Sequence, residues 1–201
     1  MGERRCLLKA KTHTCKGKLH AFQRKLSVYT QMTSNEKFLP PTPHFLFKGK
    51  GIRAKVEKPP PNVNIQWSES GSYRLENILE LVETLPKIPQ IFGIGKYRIY
   101  LLDDYSAHVH PDVKQALLKK GWILVAFGGG ITGDLQVNDT SLHHPLKSVY
   151  RDKEEQALTT KLSQEDKIPC LSRNEIVNML TDSYTEVTSR PGFQSQSYKC
   201  N

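Results

Sequence analysis

Three acidic side chains carry the chemistry this sequence can offer. Asp103 and Asp104 close an apolar run, "YRIYLLDD" at 97–104, and Asp139 follows within "GGGITGDLQVNDT" at 128–140. Carboxylates gathered at the carboxyl ends of neighbouring strands repel one another and attract a divalent cation. Two such ions about 4 Å apart activate a water or a 3′-hydroxyl and stabilise the leaving oxygen of a phosphodiester. Gly128, Gly129 and Gly130 would let the backbone bend close to such a site or to a phosphate. Ordinary readings stand beside this one. Aspartate ends many strands in turns, and Asp139, just ahead of Thr140 and Ser141, fits the N-cap of a following helix.

Elements must hold these acids in place. Residues 97–104 read as a strand, with Ile99–Leu102 buried on both faces. His110, Pro111 and Asp112 open a helix, because proline is tolerated in a first turn, and Gly121 stops it. "WILVAF" at 122–127 is a second buried strand. Strand, helix and strand within about 30 residues make a βαβ unit, so the two strands are expected to be parallel neighbours. Working residues of such sheets gather at the carboxyl ends of the strands.

Upstream, alternation over 19–33 predicts a strand, "HFLFKGKG" a short apolar one, and residues 63–67 another. Leu75, Ile78, Leu79, Val82 and Leu85 recur at helical spacing within a helix predicted over 68–84. Downstream, one helix is expected over about 141–162 and another from about Ser172, with Ile176, Leu180 and Tyr184 as a packing face. His143 and His144 are adjacent, so a helix points them apart, and both read as solvated surface. No internal repeat or clear second domain is visible.

The chain has 201 residues and a net charge of +9. The charge is one-sided. Residues 1–58 carry fourteen Lys and Arg against Glu3, Glu36 and Glu57, so the remainder is slightly acidic. A basic field of this kind favours polyanions. No apolar run approaches the roughly 20 residues of a membrane helix. The basic N-terminus lacks the apolar core of a secretory signal. Cys6, Cys15, Cys170 and Cys200 are scattered without a CxxC pair, which fits a reducing compartment. Cys15 with His13 and His20 reads as solvated or packed rather than as a metal cluster.

"YLLDDYSAHVHPDVKQALLKKGWILVAFGGGITGDLQVNDTSLHHPLKSVYR" resembles the later half of the DDE superfamily endonuclease domain of the pogo, Tigger and jerky relatives. That family carries L-D-[ND]-x-x-x-H, an apolar helix and strand, a Gly/Thr-rich loop, L-Q-x-x-D, and x-P-[LF]-K-x-x-[YF]-R. The matching residues are Asp103, Asp104 and His108, then Gly129, Gly130 and Thr132, then Leu135, Gln136 and Asp139, then Pro145, Leu146, Lys147, Tyr150 and Arg151. "FLPPTPHFLFKGKG" is similar to a further family stretch, and the resemblance spans roughly 18–160.

The resemblance implies an α/β protein with an RNase H-like mixed sheet and flanking helices. It makes Asp103 and Asp139 the catalytic and metal-ligating acids, for Mg²⁺ or Mn²⁺, with Asp104, His108 and Gln136 as motif neighbours. It implies DNA as the partner, with no membrane, and a nuclear location. Lys48, Lys50, Arg53, Lys55, Lys147 and Arg151 are the expected nucleic-acid contacts. The organisation expected is a basic segment at 1–17, a partial DDE domain at 18–162, a helical extension at 163–187 and a disordered polar tail at 188–201.

The pattern departs from the family in one respect that matters. No aspartate precedes Asp103, so the first catalytic acid and its opening strand are expected to be missing. The helix-turn-helix that such transposases carry in front is also not found. The expectation is a DNA-binding protein with impaired catalysis, and a second chain completing the sheet is a further one. An active endonuclease and a protein-contact scaffold are the alternatives.

Overall fold

The computed structural model describes residues 26–32, 42–49, 56–88, 90–91, 94–95, 97–128, 138–164 and 169–193. These form a mixed α/β arrangement of two main sheets with flanking helices. In the first sheet β1 (Leu26–Tyr29) runs antiparallel to β2 (His44–Lys48), and β2 runs parallel to β3 (Asn64–Ser68). Helix α1 spans Leu75–Thr84. Its start is later than the apolar spacing predicts. Serines occupy the missing turns, and the Ser68 hydroxyl donates to the Ser72 carbonyl at 3.0 Å, which favours a turn over helix.

The second main sheet is the βαβ unit. Strand β6 (Arg98–Asp103) is parallel to β7 (Trp122–Phe127), as the sequence predicts, with α2 (Pro111–Lys119) between them. A two-residue pair, β4 (Gln90–Ile91) and β5 (Ile94–Gly95), precedes it. His110 caps α2, Pro111 fills its first turn, and Gly121 takes the left-handed conformation at φ 84° that ends it. Lys120 then reaches back to the end of α1, donating to the carbonyls of Glu83 and Leu85 at 2.5 and 3.1 Å.

After the described part of the next loop, a six-residue π-helical turn (Asn138–His143) leads into α3 (His144–Gln164). Helix α4 (Arg173–Thr188) follows, capped by Ser172 and Glu175 in reciprocal hydrogen bonds. The tail expected at 188–201 lies largely outside the described residues.

Alternation along the strands sorts the core into layers. Phe45 and Phe47, with Leu26, Val28, Ile65 and Trp67, pack against Val177 and Leu180 of α4. Arg173 closes this layer, its guanidinium 5.2 Å above the Trp67 ring. The opposite side of the sheet meets α1, where the Tyr73 hydroxyl donates to the His44 carbonyl at 2.9 Å. A second cluster joins Ile78 and Val82 of α1, and Leu85 at its C-cap, to Val113 and Leu117 of α2, with Tyr100, Trp122 and Leu124 against it. Tyr29 of β1 packs on that same cluster, so α1 and α2 underlie both sheets. Helix α4, expected as an extension, is thus part of the core.

The cover is uneven. On the side where α4 covers the first sheet, the βαβ strands are bare: Ile99, Leu101, Ile123 and Val125 are 63, 50, 43 and 40% exposed. The expectation of burial on both faces therefore fails. Their apolar run signals burial, but the helices that would cover the second face lie over β1–β3 instead.

His44 is 2% exposed and its Nδ1 has no hydrogen-bond partner. Burial disfavours the charged ring and lowers its pKa to about 4. A folded-state value below the unfolded one, near 6.5, gives stability that is complete above pH 6.5 and lost as pH falls toward 4. Thermal melts from pH 7 to pH 4 should show wild type losing about 3 kcal/mol more than His44→Gln across that range. Leu180→Ala should cost about 3 kcal/mol in urea unfolding, as a core truncation does. A helix that is merely appended would leave the midpoint unchanged.

Candidate functional site

Asp103 ends β6, and a tight turn follows in which the His108 and Val109 amides bond the Tyr105 carbonyl. The turn folds His108 back onto the strand end. Its Nδ1–H donates to the Asp103 carboxylate at 2.5 Å. The direction is fixed, because an ionised carboxylate only accepts. His108 is 12% exposed and Asp103 32%. Two aromatic rings fence the imidazole edge-on, Tyr29 at 5.9 Å and Tyr105 at 5.3 Å between centroids. Asp104 is exposed beside them.

Tyr29 comes from β1, and its hydroxyl lies 3.5 Å from that of Tyr100 on β6. Burial pushes the Tyr29 phenol up to about 12, and Tyr100 is raised well above the usual value by the same cause. Both are therefore neutral hydroxyls at physiological pH. The next residue, Thr30, reaches the other motif. The Asn138 amide donates to the Thr30 carbonyl at 2.9 Å, and the Thr30 hydroxyl bonds His143 Nε2 at 2.9 Å. Gln31 follows, 6% exposed, with its Nε2 donor unpartnered.

Two segments far apart in the chain therefore meet on consecutive residues of one strand end. Asp139 sits in the π-turn between Asn138 and the residues leading to His143. Only its backbone is among the described residues. It lies inside the turn rather than ahead of a helix, so the N-cap reading does not describe it. Such turns recur at functional positions. Gln136, Gly129, Gly130, Thr132 and Leu135 lie outside the described residues, as do His13, Cys15 and His20. Gly128 is described, and a Cβ there would meet nothing within 4 Å, so no close backbone approach occurs at that glycine.

The expected nucleic-acid contacts divide. Lys147 and Arg151 are exposed, one turn apart on the outer face of α3, shortly after His143. His144 shares that exposed stripe, whereas His143 is half-buried on Thr30 and is not the solvated residue that its sequence position suggests. Lys48 is exposed at the far end of β2, four residues from His44, or roughly 13 Å of strand. It therefore stands away from the Tyr29 end. Lys50, Arg53 and Lys55 lie outside the described residues.

Asp103 and Asp139 were expected to hold Mg²⁺ or Mn²⁺. These hard cations take several oxygen ligands. Among the described residues no group of three or more His, Cys, Asp or Glu side chains is placed to hold a metal. Asp103 Oδ1 is engaged by His108, and Asp104 stands exposed beside them. The Asp139 side chain lies outside the described residues, and with it the expected pairing of Asp103 and Asp139 on a cation. The described groups form an oriented Asp–His pair beside hydroxyl and amide donors.

Comparisons of the chain with protein-family models, with curated proteins and with solved structures gave no match.

Thr30→Val keeps the shape of the strand end but leaves the His143 ring nitrogen without its hydroxyl partner. It should cost about 1 kcal/mol in chemical unfolding, the usual penalty for an orphaned half-buried group. His143→Ala combined with Thr30→Val should cost less than the two single changes added together, as expected of groups in direct contact.

Proposed function

We propose that this chain is a DNA-binding protein with an RNase H-like organisation, derived from a DDE-type endonuclease and acting in the nucleus without cutting its partner. The observation that carries the reading is the meeting of the Asp103–His108 turn with the Asn138–His143 turn on Tyr29 and Thr30. The family resemblance rests on those same two stretches, and their convergence supports reading them as one site. The RNase H-like assignment draws on the mixed sheet, the parallel βαβ unit and the helices beside them.

Lys147 and Arg151 supply exposed cationic ends on α3, shortly after His143. Phosphates are held by such contacts without reading sequence. Seven glutamates but no aspartate precede Asp103 in residues 1–102, so the non-cutting part of this reading rests on the family pattern's first aspartate having no counterpart there. Among the described residues the edges of β1 and β6 carry no ladder to each other, which supports a partner strand from another chain as part of the same reading.

Fluorescence anisotropy with a 20-base-pair duplex, at salt from about 20 to 200 mM, tests this. Affinity should fall log-linearly with salt, and Lys147→Ala with Arg151→Ala should reduce the slope by about 2. A flat response, or no binding at the lowest salt, would favour a protein-contact scaffold. Plasmid nicking with Mg²⁺ or Mn²⁺ should remain at background. Cleavage that disappears in Asp103→Ala and Asp139→Ala would restore the active-enzyme reading.

A further inference from the structure

The bare face of the βαβ strands gathers several of the exposed large hydrophobic side chains among the described residues. Register sets Ile99 beside Ile123 and Leu101 beside Val125. All four are between 40 and 63% exposed, and Tyr97 at 49% extends the patch at one end. Together they present about 400 Å² of apolar surface, within the range of patches that usually serve contact. The four aliphatic side chains carry no charged or hydrogen-bonding group, and the Tyr97 hydroxyl stands at one end. Arg98 is drawn toward the Trp122 ring, 5.6 Å away, and Asp103 is held by His108. The four aliphatic side chains offer a phosphate or a polar ligand no partner.

We propose that this face seats a second copy of the chain. The area is the first argument. A stable interface buries about 800 Å² per partner, of which somewhat more than half is apolar, so this patch supplies the apolar part of one. Geometry is the second. Two sheet faces pack flat at about 10 Å, and a uniform aliphatic block is complementary to itself about a two-fold axis. Packing also answers a structural need, since two strands alone make a marginal sheet and two such sheets face to face make a core.

Sedimentation equilibrium of the full chain, from about 1 to 100 µM at 0.5 M salt, provides the test. The wild type should sediment at twice 22.9 kDa, and Leu101→Glu should weaken self-association by about 100-fold while keeping the wild-type circular dichroism spectrum. Ile123→Lys, on the neighbouring strand, should do the same and serves where Leu101→Glu does not fold. A wild type that stays monomeric to 100 µM overturns the proposal. So does a folded Leu101→Glu or Ile123→Lys chain that still dimerises as tightly as wild type.

Discussion

Tyr29 and Thr30 are consecutive, yet each grips a different part of the chain. Tyr29 meets Tyr100 and His108 of the βαβ unit, while Thr30 bonds Asn138 and His143 of the π-turn. No backbone ladder joins β1 to β6 among the described residues, so side chains and the shared α1–α2 layer do the work that ladder hydrogen bonds perform in a continuous sheet. Buried hydroxyls tolerate no vacant partner, which makes this junction exacting: shifting β1 by one residue would exchange the two grips and satisfy neither. The meeting of the Asp103–His108 turn with the Asn138–His143 turn therefore follows from the register of a four-residue strand.

That register is itself set from β2. His44 pairs with Tyr29 across the ladder, and its carbonyl receives the Tyr73 hydroxyl from the start of α1. The Tyr105 hydroxyl in turn donates to the Tyr73 carbonyl, linking the turn that carries His108 to the same point. A chain of polar contacts thus runs from the sheet interior to the Asp103–His108 pair. The cost of burying His44 without a full set of partners is borne within this chain of contacts, where the surrounding packing over-determines the ring's position.

Local chemistry was readable from the sequence, and distant partnership was not. The βαβ unit announced itself through two apolar runs, a His-Pro-Asp helix start and a glycine stop, all signals contained within a few residues. The Ser172 start of α4 was legible for the same reason. Burial on both faces of β6 and β7 was not decidable, because it depends on where helices distant in the chain come to rest. His143 looked like surface because its partner, Thr30, is 113 residues distant. Tyr29, Thr30, Tyr100 and Tyr105 carried no motif at all; they matter only through folding. Asp103 with His108 was visible as spacing, but their direct bond depends on a turn that spacing alone does not specify.

The two tryptophans fall one in each half of the molecule. Trp67 is stacked on Phe47 beneath the Arg173 guanidinium, so its surroundings change when α4 lifts from the first sheet. Trp122 donates its indole N–H to the Pro86 carbonyl and stands edge-on to Tyr100, so it senses the βαβ half. The protein thereby contains its own pair of optical reporters. Replacing either indole leaves emission from a single region, and the order in which the two halves come apart becomes readable from intrinsic light alone.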